Sequence, residues 1–551
     1  MVPLAVIAVG AFVAGVIEAT GPARDERALA RHYVSDWVRG DFASMYALLD
    51  ATSRQSLSEQ EFVSAYQRAA TTATLTQLIP GRVSGPDGHV LHVRMRVKTR
   101  IFGQLHETLD LTFSGSGSGS KVHFNDAAVF PGLNVGEHLH RTASLAPRAA
   151  LLARDGTPLA EGPGRTSPIP GVAGEIVGTL SPIPADQTAA YAAEGYPADA
   201  KVGTDGLERI FQSQLAGKPG GTLNAGARVL AHTAPIAGHT VRTTIDPALE
   251  AAAISAMGGR LAGIAAMDPR NGQVLALSGI AFSAPQPPGS TMKIITATAA
   301  LQAGIVRLSS TFPIRTSATI DGYTLENANG EACGGTFLNA FAVSCNSVFA
   351  PLGVRLGGAR LVNTAERFGF NQPAPFAGAA ESTIPSAATI GSALAVGSSA
   401  IGQGKVLTTP LEMVDAGATI AMNGRRPVQT LELGQPPRFI RVTTPAVAAE
   451  VQQMMIAVVR FGTGTAAAIP GVTVAGKTGT AELRDTVVPP GATPQTAAQQ
   501  AQDTDAWFVG YAPAGAPRIA VGALFPNQGA GGATAAPAVH DVLAAALTLR
   551  Y

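Results

Sequence analysis

The sequence predicts a multidomain α+β chain headed by an apolar segment. Three observations predict it. Val2 to Ile17 is an uninterrupted apolar run. Between residues 25 and 124 the hydrophobic period changes from helical to two. Beyond Asp246-Pro247, a strand-turn-strand pattern feeds a long helical run. At 551 residues, 46% hydrophobic and 14% charged, the chain is long enough for several domains with substantial cores.

The apolar run VPLAVIAVGAFVAGVI is ended by Glu18 and followed by polar, charged residues 21–27. Its length is at the low end for a membrane-spanning helix and also fits a signal-peptide core. Only Met1 precedes it, so a charged leader is missing. Residues 1–20 are therefore expected to be a membrane anchor or signal segment, with a buried helix as the alternative. No second apolar stretch of spanning length follows. A single crossing, with the bulk of the chain outside the cytoplasm, is the economical arrangement.

From Asp25 to Phe62, Leu29, Tyr33, Trp37, Met45, Leu48 and Leu49 recur at helical spacing. Ser58 and Glu61 form a capping-box pattern ahead of Phe62. From Ala73 to Phe124 the period is two, as in Val90–Val97 and Thr108–Phe113, which reads as antiparallel strands. Ser114–Ser120 alternates Ser and Gly and suits a hairpin loop. These elements define an α+β domain over residues 22–137. Residues 138–235 are loop-rich, with strand-like pieces at Ala149–Ala153 and Gly174–Leu180 and a helix from Gly206 to Leu215. The third region, 236–551, opens on Asp246-Pro247 as a helix start. Ile264–Met267 and Gln273–Leu277 then flank an Asn271-Gly272 hairpin turn.

The formal net charge is +1, with no basic patch or acidic tail, so nucleic-acid partners are not indicated. Two cysteines, Cys333 and Cys345, exclude a cysteine-rich scaffold and a four-cysteine zinc site. They fit either one disulfide in an oxidising compartment or two reduced buried thiols. The ten histidines show no His-Glu-x-x-His pattern, and no metal site or cofactor is expected.

The chemistry-bearing stretch is Pro288-Gly289-Ser290-Thr291-Met292-Lys293, followed by apolar helix formers. With Ser290 in the first helical turn, Lys293 lies on the same face, a hydroxyl beside a candidate base. Alone the pattern is cheap. It is expected roughly twice in a chain this long, and Ser118 with Lys121 repeats it inside the Gly/Ser loop. The structural alternative makes Ser290 an N-cap and Lys293 a solvated helix residue. After the apolar run Phe337–Val343, Ser344 and Asn346 can face one cleft, or merely cap a loop. Lys477-Thr478-Gly479-Thr480 follows the β-branched run Val472–Ala475. A cation, two hydroxyls and an open backbone on a strand suit a carboxylate ligand. Gly471 to Thr478 also fits a phosphate-loop pattern, but its interior is strand-like and Gly479 stands where a helix should run.

The order Ser-x-x-Lys, Ser-x-Asn, Lys-Thr-Gly resembles the penicilloyl-serine transferase superfamily, with Cys345 where some members carry Asp. Within it the chain is similar to class B penicillin-binding proteins, peptidoglycan D,D-transpeptidases of the bacterial envelope. Further segments share the likeness: Gly402-Gln403-Gly404, Thr408–Met413, Ala506–Pro513 and Gly203–Gly220. The resemblance implies a nuclear-transport-factor-2-like domain at 22–137 and a dimerisation-type domain at 138–235. It further implies a transpeptidase domain at 236–551 with a central antiparallel sheet flanked by helices. Nothing resembles a glycosyltransferase domain, and the Glu-x-x-Leu-Asn element of class A β-lactamases is absent between the second and third motifs.

The resemblance also implies roles. Ser290 is the acylated nucleophile, Lys293 its base, and Ser344 and Asn346 relay and orient. Lys477, Thr478, Gly479 and Thr480 bind the substrate carboxylate. Stem peptides of peptidoglycan are the substrates, β-lactams the inhibitors, and other cell-wall synthesis proteins candidate partners. A Cys333–Cys345 disulfide would brace the second motif. Trp507 is read as packing, and Arg484–Asp505 as a loop near the cleft. The competing readings are a D,D-carboxypeptidase that uses water and a non-catalytic β-lactam receptor or scaffold of the same fold.

Overall fold

The computed structural model describes residues 22–483, 496, 499 and 502–549. The expected membrane segment at 1–20 lies outside the described residues, as does most of the Arg484–Asp505 loop. Among the described residues no helix is long and apolar enough to cross a membrane. The chain forms two compact units. One holds the residues up to Ala149 with Leu180–Thr204 and Gln212–His239; the other holds Ala150–Thr179, Asp205–Phe211 and the chain from Thr240 onward. Residues 138–235 are thus divided between the two.

In the first unit, helices Pro22–Arg39, Phe42–Ala47, Ala51–Ser56 and Glu59–Thr72 precede an antiparallel sheet. Its strands Leu75–Asp87, Val90–Thr99, Gln104–Ser114 and Lys121–His123 lie in chain order. Ser58 and Glu61 form the expected capping box, each satisfying a backbone N–H of the other. Leu91, Val93, Met95 and Val97 alternate into the core, where they meet Tyr33, Phe62 and Tyr66. The Ser/Gly stretch joins the last two strands through a 3₁₀ turn at Gly117–Gly119. Strands Leu139–Ser144, Gly220–Ala225 and Arg228–Thr233 make a second small sheet.

Three local expectations are corrected. Gly174–Leu180 is not strand-like: Pro170–Ile176 is a helix with proline in its first turn, where a fixed φ is pre-organised. Val172 and Ile176, four apart, bury one face of it. The helix expected from Gly206 to Leu215 breaks at Phe211 into Gly206–Ile210 and Gln212–Ala216. The strand carrying Lys477 begins at Ala475, so Val472–Val474 lie before it.

The second unit is built on a five-stranded antiparallel sheet in the order 273–279, 263–268, 519–525, 504–512, 475–482. Both faces are covered, so its strands read as continuous apolar runs. Phe508, Val521 and Phe525 meet helices Pro247–Met257 and Ala535–Thr548 on one face. Trp507, Val509 and Leu524 meet a helical layer on the other. At the centre of that layer, Lys293–Leu301 is buried on every side, which explains its lack of a polar stripe. The strand 475–482 is at the sheet's edge, leaving one row of its backbone groups free of ladder bonds.

Helix Pro247–Met257 starts as expected, with the Asp246 carboxylate accepting from Ala248 and Leu249 N–H. One turn on, Glu250 is fully buried, accepting from Leu277 N–H at 2.6 Å and Ser278 Oγ at 2.5 Å. Burial pushes its carboxyl up to about 7, and Glu175 adds repulsion. A raised acid favours the folded state fully below its ordinary value of 4.5, and that advantage is lost as pH rises through about 7. Between pH 5 and pH 8, urea unfolding of Glu250→Gln should lose less stability than the wild type, by about 1–3 kcal/mol. Parallel pH dependences would contradict this.

Candidate active site

The Ser290 turn is shaped by what its backbone rests on. Gly289 adopts φ +51°, and a Cβ there would stand 2.7 Å from Thr480 O. Its N–H donates to Gly402 O at 2.9 Å. A Cβ on Gly479 would stand 2.6 Å from Pro288 O. Two glycines therefore let the turn dock directly on the edge strand. This tight docking also corrects the expected helix start. Gly289–Met292 is a 3₁₀ turn, and the α-helix runs from Lys293 to Gln302. Residues three apart eclipse in a 3₁₀ turn, so Ser290 and Lys293 still share a side. Ser290 is half-buried, Lys293 completely buried.

The second motif is made by a break between helices. Phe337–Ala342 is capped by Thr336, and Asn346–Leu356 begins after a turn. Ser344 takes φ +63°, a left-handed conformation that non-glycine residues adopt at a cost of about 1 kcal/mol or more. Its N–H donates to Phe341 O and that of Cys345 to Ala340 O. Cys345 points into the core and forms a disulfide with Cys333. The bond ties the turn to strand Cys333–Thr336.

Lys477, Thr478, Gly479 and Thr480 lie within the edge strand, which continues to Glu482. A helix does not follow Lys477, so the phosphate-loop pattern is a coincidence of sequence. Lys477 is completely buried and Thr478 5% exposed, whereas Thr480 is half-buried.

These residues meet around two amines. Lys293 Nζ lies 2.7 Å from Ser344 O, 2.7 Å from Asn346 Oδ1 and 3.2 Å from Ser344 Oγ. Lys477 Nζ donates to Ser344 Oγ and to Thr478 O, each at 2.9 Å. The Ser344 hydroxyl thus bridges both amines. Burial foremost, then the Lys477 charge, holds Lys293 well below the usual lysine range. Burial brings Lys477 down to about 7. A neutral Lys293 has two N–H bonds, and Ser344 O and Asn346 Oδ1, which only accept, use both. The Ser344 hydroxyl, at 3.2 Å, faces its remaining valence. The rings of Phe349 and Phe341 lie 5.6 Å from Lys293 Nζ and Lys477 Nζ respectively.

Ser290 Oγ makes no hydrogen bond to a described residue, so the structure joins it to the cluster by the turn alone. Several contributors escape sequence reasoning because they act through backbone or through small residues. Glu326 O accepts from Asn346 Nδ2 at 2.9 Å, which turns Oδ1 toward Lys293. Asn327 accepts from Ser347 N–H at 2.7 Å and steadies the same helix start. Thr463 Oγ1 lies 2.6 Å from Thr478 Oγ1, and Gly531 N–H donates to Thr480 Oγ1 at 3.3 Å. Trp507 is fully buried, as packing.

Comparison with known proteins supplies independent evidence. Residues 262–544 match the penicillin binding protein transpeptidase domain. Residues 155–243 match the penicillin-binding protein dimerisation domain, and 26–137 the NTF2-like N-terminal transpeptidase domain. The peptidoglycan D,D-transpeptidase PbpA of Mycolicibacterium smegmatis is 37% identical over 291 residues, 48% of this chain and 56% of that protein. The chain thus spans little more than half the length of that relative. PbpA of Mycobacterium tuberculosis is 32% identical over 378 residues, 56% of this chain and 73% of that protein. The structure of penicillin-binding protein A from M. tuberculosis as a ceftriaxone acyl-enzyme complex is 26% identical, with a TM-score of 0.57. It covers 73% of this chain and 98% of that one. The transpeptidase match runs through every residue of the cluster, from the Ser290 turn to the Lys477 strand, and this chain belongs to the penicillin-binding protein transpeptidase family.

Proposed function

We propose that this protein is a penicillin-sensitive peptidoglycan D,D-transpeptidase that works through an acyl-enzyme on Ser290. One observation carries the reading: Lys293, three residues after Ser290, is completely buried with its Nζ held by Ser344 and Asn346, and burial with the Lys477 charge pushes it well below the usual lysine range. Ser290 Oγ attacks the carbonyl between the terminal D-Ala residues of a stem peptide, and its proton passes to the Lys293 lone pair. The oxyanion is held by the backbone N–H groups of Ser290, in the first turn, and of Thr480, on the open edge. Losing one such donor costs on the order of 3 kcal/mol of barrier. Ser344, between the two amines, passes a proton to the leaving D-Ala amine as the C–N bond breaks. Lys477, Thr478 and Thr480 hold the terminal carboxylate, and Gly479 leaves room for it. An amine of a second stem peptide then attacks the ester, releases Ser290 and forms the cross-link. β-Lactams imitate the donor and stop at the acyl-enzyme.

The enzyme is anchored by the apolar run of residues 2–17 in a cell membrane, with its bulk outside the cytoplasm. The Cys333–Cys345 disulfide supports an oxidising compartment. Other cell-wall synthesis proteins are its natural partners.

Fluorescent penicillin should label the wild type covalently and leave Ser290→Ala unlabelled; a label that survives the substitution would overturn the reading. With a donor stem peptide and an amine acceptor, the product should be the transfer product. Release of free acid only would favour the carboxypeptidase. The pH profile tests the base. A depressed Lys293 is uncharged above its lowered value, so acylation should climb with pH and then fall as Lys477, which holds the carboxylate, loses its proton above about 7. In Lys477→Gln the repulsion that helps depress Lys293 is gone, and the rising limb should move to higher pH. An unmoved limb at reduced height would show that Lys477 acts in binding alone.

A further inference from the structure

We infer that Thr463 is a positioning residue that fixes the direction of the Thr478 hydroxyl, and so helps this enzyme prefer donors that carry a free carboxylate. The inference rests on the reading of Lys477, Thr478 and Thr480 as the carboxylate site.

Thr463 follows helix Pro445–Arg460 and precedes Thr478 by 15 positions, outside all three motifs. Its backbone N–H donates to Ala342 O at 3.1 Å, at the end of the helix that leads to Ser344. Its hydroxyl lies 2.6 Å from that of Thr478 and only at 3.5 Å from Ala342 O. One residue therefore spans the second and third motifs. Either hydroxyl can donate across the 2.6 Å contact; the proton is assigned to Thr463, whose other acceptor, Ala342 O, stands at a marginal 3.5 Å.

The direction of that bond has a consequence. With Thr463 as donor, Thr478 Oγ1 accepts from it and faces Lys477 Nζ at 3.5 Å. With its acceptor side engaged, its own proton is left for an outside acceptor. Thr480 is arranged alike: its Oγ1 accepts from Gly531 N–H at 3.3 Å. Two hydroxyls on the open edge are thus both turned into donors. A carboxylate, which only accepts, is the ligand that such a pair selects, and a neutral ester or amide engages it less well. Thr463 is exposed, and its hydroxyl is placed by the 2.6 Å contact with Thr478.

The test compares Thr463→Val, which keeps the shape and loses the hydroxyl, with Thr463→Ser, which keeps the hydroxyl. Each is acylated by benzylpenicillin and by its carboxyl methyl ester, and the second-order rate constant at Ser290 is read for both. Thr463→Val should lose about tenfold with the free acid and little with the ester, and Thr463→Ser should stay near wild type with both. Equal losses on acid and ester would mean a merely structural role and would overturn the inference, as would no loss on either. A wild type that is not acylated at Ser290 would instead sink the functional reading on which the inference rests.

Discussion

Two lysines buried side by side set the terms for the rest of this site. An ammonium taken out of water loses several kcal/mol of solvation, and a second one nearby adds repulsion. The protein meets that cost by lowering the affinity of Lys293 for its proton rather than by supplying a carboxylate. The acceptors around it are a carbonyl and a carboxamide, which orient an amine without demanding that it be charged. Lys477 keeps enough charge to matter, and Ser344 stands between the two as a hydroxyl that can accept from one and give to the other.

The surrounding backbone holds that arrangement. The Ser290 turn lies against the edge strand because Gly289 and Gly479 bring backbone to backbone. The left-handed Ser344 turns two helices apart so that its carbonyl and hydroxyl face one amine, and the disulfide ties that strained turn to a neighbouring strand. Glu326 O settles which end of the Asn346 amide faces Lys293. The sheet is covered on both faces, and the strand that carries Lys477 lies at its edge, where one row of backbone groups is free of ladder bonds.

Much of this was legible in the sequence, for physical reasons. Period-two runs gave the strands of the first unit, and Asp246-Pro247 and Asn271-Gly272 gave a helix start and a hairpin because their side chains and dihedrals act locally. Three short motifs gave the site because reactive residue types at fixed spacing are rare in combination. What stayed hidden is carried by the backbone or by tertiary context. The 3₁₀ start at Gly289 comes from docking on a strand almost two hundred positions away. Gly174–Leu180 reads as strand-like because so short a piece has no period of its own, and the helix that takes in its start is set by Pro170 upstream. Thr463 sits in a Gly-Thr-Gly stretch that reads as an ordinary turn, and no local signal marks its bond to Thr478.

The central claim is that Lys293 is an uncharged amine when Ser290 attacks. The most direct measurement is ¹⁵N NMR of the Nζ groups in lysine-labelled protein, with the Lys293 signal assigned by its loss in Lys293→Arg. A neutral amine signal at pH 7, turning to ammonium only under acid conditions, is the result this account predicts. An ammonium that persists until it titrates near the ordinary value of about 10.4 would contradict it.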